Sequence, residues 1–217
     1  MAIEDICRRE GVDIPSIISR CVEEVEHRGM EEVGIYRLSG SLTDINKLRR
    51  KFDMKPSSCA LYDVDINCIT GLLKSFLRQL PISLFTEKLY HDFIKAFYSL
   101  SSGSIDTSAE ANNLVEVGTR SLIYLFSSLP KLNQTILVYL LEHLVRVSNK
   151  EAINKMTLHN LATVFGPTVV RPAITNSSGT DLKNFISCGS KDVISQSGIM
   201  YFFLLRLKRQ LPIMLPQ

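Results

Sequence analysis

Asp65-Ile-Asn-Cys-Ile-Thr-Gly-Leu-Leu-Lys-Ser-Phe-Leu-Arg-Gln-Leu-Pro81 decides the fold class. Asp65 is a good N-cap, able to accept from the free N–H groups of a first helical turn. Pro81 cannot continue a helix. Between them Ile66, Ile69, Leu72, Leu73, Phe76, Leu77 and Leu80 fall within a wedge of roughly 140° at 100° per residue. Asn67, Gly71, Lys74 and Arg78 fall on the opposite side. The pattern predicts an amphipathic helix with its apolar face on a core. Lys74 and Arg78 are neighbours at i, i+4, where like charges repel slightly. Gly71 on the same stripe costs up to ~1 kcal/mol in a helix interior. Two readings fit this stripe equally: a smooth cationic surface for close approach of an anionic partner, and a solvated basic face that includes a glycine.

The same period recurs in both directions. Upstream, Pro15 suits a first turn, Ile17, Ile18, Cys21, Val22 and Val25 repeat at helical spacing, and Gly29 is a stop signal. Ser41-Leu-Thr-Asp44 has a capping pattern and opens a helix with Ile45, Leu48 and Phe52 inside. Residues 53 to 64 read as a connection. Downstream, Thr86 can cap a helix with Leu89, Tyr90, Phe93, Ile94 and Phe97 inside, and a polar loop spans Ser101 to Ser108. A helix from about Ala109 to Ser128 is separated by Pro130 from another, about Lys131 to Ser148. The second is apolar on much of its circumference and is expected at the centre of the core. Asn154-Lys-Met156 reads as a short linker. Thr157 caps a brief helix through Phe165, with Gly166-Pro167 as its stop. Arg171 to Ser190 reads as a long surface loop, and a last helix runs from about Lys191 to Gln210. No segment alternates with period two. The expectation is one all-α domain of about eight or nine helices across residues 1–217, with its core from about Ile14 to Leu211, cut from a larger multidomain protein.

Composition narrows the function. A net charge of +3 over 217 residues, with the basic residues spread along the chain, does not suggest a nucleic-acid binder. The five cysteines are odd in number and show no C-x-x-C spacing, which argues for a reducing compartment. No apolar run approaches the ~20 residues of a membrane span, so a cytoplasmic protein without membrane insertion is expected. Phosphate-loop, nucleophile-elbow and metal-binding spacings are missing. The four histidines are scattered and read as surface or partly buried residues rather than bases. Neither a cofactor nor a metal is expected.

One stretch lacks both periods: Gly34-Ile-Tyr-Arg-Leu-Ser-Gly40. The glycines allow backbone dihedrals that other residues resist. Ile35, Tyr36 and Leu38 have apolar surface to bury, which would pin the loop. Arg37 cannot be buried unpaired and is expected to point outward, either as an ordinary surface residue or as a functional one.

The Gly34–Gly40 stretch, Leu73-Lys-Ser-Phe-Leu-Arg-Gln-Leu-Pro81 and Asn154-Lys-Met-Thr-Leu-His-Asn-Leu-Ala-Thr-Val-Phe-Gly-Pro167 together resemble the RhoGAP domain, the GTPase-activating module for Rho-family small GTPases. They occur in the family's order. The stretches Cys21 to Arg37 and Glu151 to Ala162 look most similar to the Bcr/Abr branch. The resemblance implies that Arg37 is an arginine finger inserted in trans into the active site of a GTP-bound Rho-family GTPase, with Rac and Cdc42 favoured over RhoA. It implies that Lys74 and Arg78 support the finger loop and contact the partner, that Asn160 meets the partner's switch region, and that Asn154 belongs to the same surface. Gly34 and Gly40 would supply the loop's backbone freedom. The domain would act as a monomer without an active site of its own, with any membrane recruitment supplied by its partner or flanking domains. Gln79 and Ile82-Ser83 depart from the family pattern and bear on partner choice. Two other readings are a catalytically silent GTPase-binding module of the same fold, and an anion site at Lys74 and Arg78 for a lipid headgroup or phosphopeptide.

Overall fold

A computed structural model of the chain describes all residues except 55, 57–58, 104–108, 173–180 and 216–217; side chains are also left aside at 102–103, 109–112 and 181–191. Among the described residues there are ten α-helices and no strand. They are α1 (Ile3–Glu10), α2 (Ser16–Arg28), α3 (Leu42–Met54), α4 (Ile66–Gln79), α5 (Glu87–Gly103), α6 (Ala109–Ser127), α7 (Lys131–Ser148), α8 (Glu151–Asn154), α9 (Leu158–Val169) and α10 (Asp181–Lys208). None of the described helices is long and apolar enough to cross a membrane.

Helix α4 forms as its sequence predicts. The Asp65 side chain accepts from Asn67 N and Cys68 N at its start. Its apolar wedge is buried, with Ile69, Leu72 and Leu73 fully enclosed. Helices α2, α3 and α9 all pack on α4. The side opposite the wedge is therefore covered in part, over Gly71 and Lys74 but not Arg78. Helix α7 carries the expected core face, with Ile136, Leu137, Leu140, Leu141 and Leu144 fully buried. A second aromatic centre joins Phe85, Phe93, Phe126 and Phe203, with ring centroids 4.8 to 6.4 Å apart.

Four boundaries differ from expectation. Helix α1 was not foreseen; it is short but strongly two-sided, with Ile3, Ile6 and Cys7 buried and Gly11 closing it at φ 66. The single turn α8 precedes the expected Asn154–Met156 linker and overlaps it at Asn154; Lys155 closes it at φ 62. Pro167 does not stop α9, which runs on to Val169. It sits in the last turn, where it removes one backbone hydrogen bond and Val170 N still donates to Gly166 O at 2.8 Å. Gly166 is there for packing: a Cβ would lie 2.7 Å from the Gln196 carbonyl on α10. Finally, α10 begins at Asp181, ten residues before the expected start, so the predicted loop is helical over its second half. Residues 173–180 of that loop lie outside the described residues.

Candidate functional site

The segment between α2 and α3 is tied down at each end and in the middle. Gly34 takes φ 77, a left-handed conformation that glycine adopts without strain. Its N–H donates to the Asn154 carbonyl at 2.8 Å, and its own carbonyl accepts from Arg37 N and Leu38 N at 2.9 Å each. At the other end Gly40 N donates to Asn67 O at 3.2 Å. Gly40 is not at positive φ. Its need is space, because a Cβ would lie 2.6 Å from Cys68 N and 2.4 Å from Cys68 Sγ. The two expected backbone glycines thus serve different purposes, one conformational and one steric.

Between them, Ile35 and Tyr36 are fully buried, as their apolar surface predicts. Leu38 is not: it is 46% exposed and pins nothing. Tyr36 takes φ 68, uncommon for a bulky side chain. Its ring edge meets Phe165 with centroids 4.9 Å apart. Its hydroxyl lies 2.6 Å from His143 Nε2, and its carbonyl accepts from Lys74 Nζ.

Arg37 follows and is exposed. Its guanidinium enters no ion pair or side-chain hydrogen bond among the described residues. One of its terminal nitrogens lies 3.4 Å from where a Gly34 Cβ would be, so the side chain folds back over the bare glycine.

The basic stripe of α4 is divided. Lys74 is only 7% exposed, which corrects the reading of a solvated stripe. The helical wheel sets it opposite the core face, but the Tyr36 segment closes over it. Burial, and secondarily the charge of Arg78, push its ammonium down to about 8 from an ordinary 10.5. Arg78 remains exposed, its Nε donating to Thr168 Oγ1 at 3.3 Å. Gly71 faces no partner. A Cβ there would lie 2.4 Å from Ile45 Cδ1, so its role is the close α3–α4 crossing.

The two asparagines also separate. Asn154 is fully buried. Its Nδ2 donates to Met30 O and Val147 O at 2.9 Å each, and its Oδ1 accepts from Met156 N at 2.8 Å. With every polar atom committed inward, it cannot be a contact surface, and the expectation that it meets a partner is corrected. It holds the α2–α3 segment through the Gly34 bond. Asn160 is partly exposed, in the first turn of α9, where Thr157 caps its N–H at 3.1 Å. Its Nδ2 donates to Lys155 O at 3.1 Å.

A buried polar chain under the loop went unread in the sequence. His143, fully buried on α7, places Nδ1 2.7 Å from Glu26 Oε1. Arg146 reaches the same oxygen, with Nη2 at 2.7 Å and Nε at 2.8 Å. The His143 hydrogen bond, with Arg146 behind it, holds the Glu26 carboxyl down to about 2 against the opposing effect of burial. Burial outweighs Glu26 and keeps His143 neutral more readily than usual. A neutral ring that donates from Nδ1 to a carboxylate accepts at Nε2. Tyr36 O–H is therefore the donor. The signal was present: His143 sits three after Leu140 and four before Val147, a polar residue on an apolar face.

Among the described residues no group of three or more His, Cys, Asp or Glu side chains is placed to hold a metal ion. The site is thus an exposed arginine on a segment whose backbone is held by α4 and α8 and whose Tyr36 side chain is held by α7.

Residues 15–174 match the RhoGAP domain, and the chain belongs to that family. It is 43% identical over 204 residues to the active breakpoint cluster region-related protein of Xenopus tropicalis, covering 93% of this chain and 22% of that protein. It is 41% identical over 205 residues to the human breakpoint cluster region protein, covering 92% of this chain and 15% of that one. The chain thus spans about a fifth or less of the length of these relatives. Among solved structures, human Rho GTPase activating protein 15 superposes with a TM-score of 0.73 at 29% identity, over 96% of this chain and 89% of the other. The BH domain from GRAF, the GTPase regulator associated with focal adhesion kinase, gives 0.67 at 28% identity, over 91% and 95%.

Proposed function

We propose that this domain accelerates GTP hydrolysis by a Rho-family small GTPase, in its GTP-bound state, by inserting Arg37 into the partner's active site. The observation that carries the reading is an unpaired guanidinium on a backbone that is bonded on every side. GTP hydrolysis builds negative charge on the transferring phosphoryl oxygens. A guanidinium is always charged and offers a planar fork of donors to those oxygens. Brought into a site from which water is being excluded, it stabilises the charge that develops there. Because the loop is already ordered, little conformational entropy is lost when it docks. Arginines supplied in this way are worth on the order of 10³ to 10⁵ in rate.

In this reading Arg78 and Asn160 meet the partner directly, whereas Lys74 acts from beneath by holding the Tyr36 carbonyl. The domain contributes a side chain and the partner contributes the nucleotide and the water. The Bcr/Abr likeness favours Rac and Cdc42 over RhoA as targets.

The test is single-turnover GTP hydrolysis by Rac, Cdc42 and RhoA, with the wild-type chain and with Arg37→Ala. The expected result is strong acceleration by the wild type, loss of at least 10² of it in the variant, and largely intact binding to the GTP-bound partner. Equal loss of binding and acceleration would refute a transition-state role for Arg37. Binding without acceleration by the wild type would favour the silent module.

A further inference from the structure

The residue before the finger is held by two anchors on opposite sides of its Cα. One is the Lys74 bond to the Tyr36 carbonyl. The other is the chain that begins at the hydroxyl, 2.6 Å from His143 Nε2, and continues from Nδ1 to Glu26 at 2.7 Å. The dihedrals of Tyr36 set the direction in which the chain enters Arg37. They lie in the left-handed region at φ 68, where a bulky side chain stays only when its surroundings fix it. Relaxation to an ordinary negative φ would swing Arg37 away from its present exit.

A phenylalanine would fill the same apolar space between His143 and Phe165. The hydroxyl adds a bond to a fully buried imidazole, and that imidazole is oriented by a carboxylate 33% exposed at the surface. A buried polar chain of this kind gains little over an apolar filling, but it admits one arrangement when every member is satisfied. Here every member is: Glu26 accepts from His143 and Arg146, His143 donates and accepts, and Tyr36 donates.

We infer that His143 is a positioning residue for the arginine finger, acting through the Tyr36 hydroxyl, with Glu26 fixing the imidazole in the tautomer that accepts from Tyr36. The inference rests on the activating role proposed above. It assigns the left-handed turn before Arg37 to a side-chain bond and not to packing alone.

The test is single-turnover hydrolysis by GTP-loaded Rac over a range of activator concentrations, separating the maximal rate from half-saturation. The proteins are wild type, Arg37→Ala, Tyr36→Phe, His143→Leu, His143→Gln and the Tyr36→Phe/His143→Leu double variant. Tyr36→Phe and His143→Leu should each lower the maximal rate about tenfold, with half-saturation within about twofold of wild type. The double variant should be no worse than either single one, because both remove the same bond. His143→Gln, which keeps an acceptor and a donor, should retain most of the rate. Affinity for the Rac–GDP–aluminium fluoride complex should fall about tenfold, while affinity for a non-hydrolysable GTP complex holds. Thermal unfolding runs alongside; if His143→Leu does not fold, Tyr36→Phe alone decides. Full maximal rates in Tyr36→Phe and His143→Leu, or additive losses in the double variant, would overturn the inference and leave His143 a stability residue. A wild type that does not accelerate hydrolysis would instead remove the activating role itself, an outcome read from the same experiment.

Discussion

Replacing Lys74 by methionine should separate stability from activity. The side chain is 7% exposed, its ammonium titrates near 8 instead of 10.5, and its partner is the Tyr36 carbonyl. That depression makes the charged form about 3 kcal/mol less favourable at pH 7 than in the unfolded chain. Methionine fills nearly the same volume without that cost. It also deletes a charge-assisted hydrogen bond worth roughly 1.5–3 kcal/mol and leaves the Tyr36 carbonyl unpaired, at about 1–3 kcal/mol. The opposing effects partly cancel, so the stability of Lys74→Met at pH 7 should lie between about 1 kcal/mol above and about 3 kcal/mol below that of wild type.

The pH dependence should not cancel. A lysine whose folded-state pKa is depressed destabilises the fold while both states are protonated. That cost is relieved as pH rises from about 8 towards 10.5, where the unfolded chain still holds the proton and the folded one has lost it. Between pH 7 and pH 10 the wild type should therefore gain about 2 kcal/mol relative to Lys74→Met. Urea unfolding of both proteins at the two pH values measures this. If Arg37 acts as proposed, acceleration of GTP hydrolysis at pH 7 should fall at least tenfold in Lys74→Met, because one anchor of the turn before Arg37 is gone. A stability difference that does not change with pH would refute the buried-ammonium argument. Full acceleration by the variant would refute the anchoring one.

Other consequences follow from the same geometry. Gly40→Ala should cost about 1–3 kcal/mol of stability by thermal unfolding, because the new methyl meets Cys68 backbone that cannot rotate away; adding Cys68→Ala should not rescue it. Asn154→Ala leaves Met30 O and Met156 N without their side-chain partner and removes one of the bonds to Val147 O, which keeps Lys150 N; it should lower stability by more than about 2 kcal/mol. Asn160→Ala should cost under about 1 kcal/mol of stability, yet weaken partner binding measured by titration. Glu26 is held near 2, so its contribution is complete above its ordinary value of 4.5 and is lost as pH falls through about 2. Acid unfolding of Glu26→Gln should lack that component.

Sequence periodicity was enough for the all-helical class, the limits of α4 and α7, and most of the core, because an amphipathic helix writes its buried face into residue spacing. The departures came where spacing carries no signal. Pro167 reads as a stop, but a proline in a last turn forfeits only one bond. The start of α10 lies among weak helix formers, and propensity is a poor guide where tertiary packing competes with it.

The candidate site divides along the same line. By itself the sequence determined that Arg37 sits on an aperiodic, apolar-flanked loop and must lie outside, since a guanidinium without a partner cannot be buried. It also determined which residue types share a helix face. Which of those faces is covered was decided by tertiary structure alone. Lys74, opposite the core on the wheel, lies beneath the Tyr36 carbonyl; Gly71 meets Ile45; Asn154 turns inward to three backbone groups; His143, Glu26 and Tyr36 meet across more than a hundred residues of chain. Periodicity reports how a helix is oriented towards one core. A second element that packs on its other side leaves no periodic trace, and the contacts of the Gly34–Gly40 loop are made by such elements.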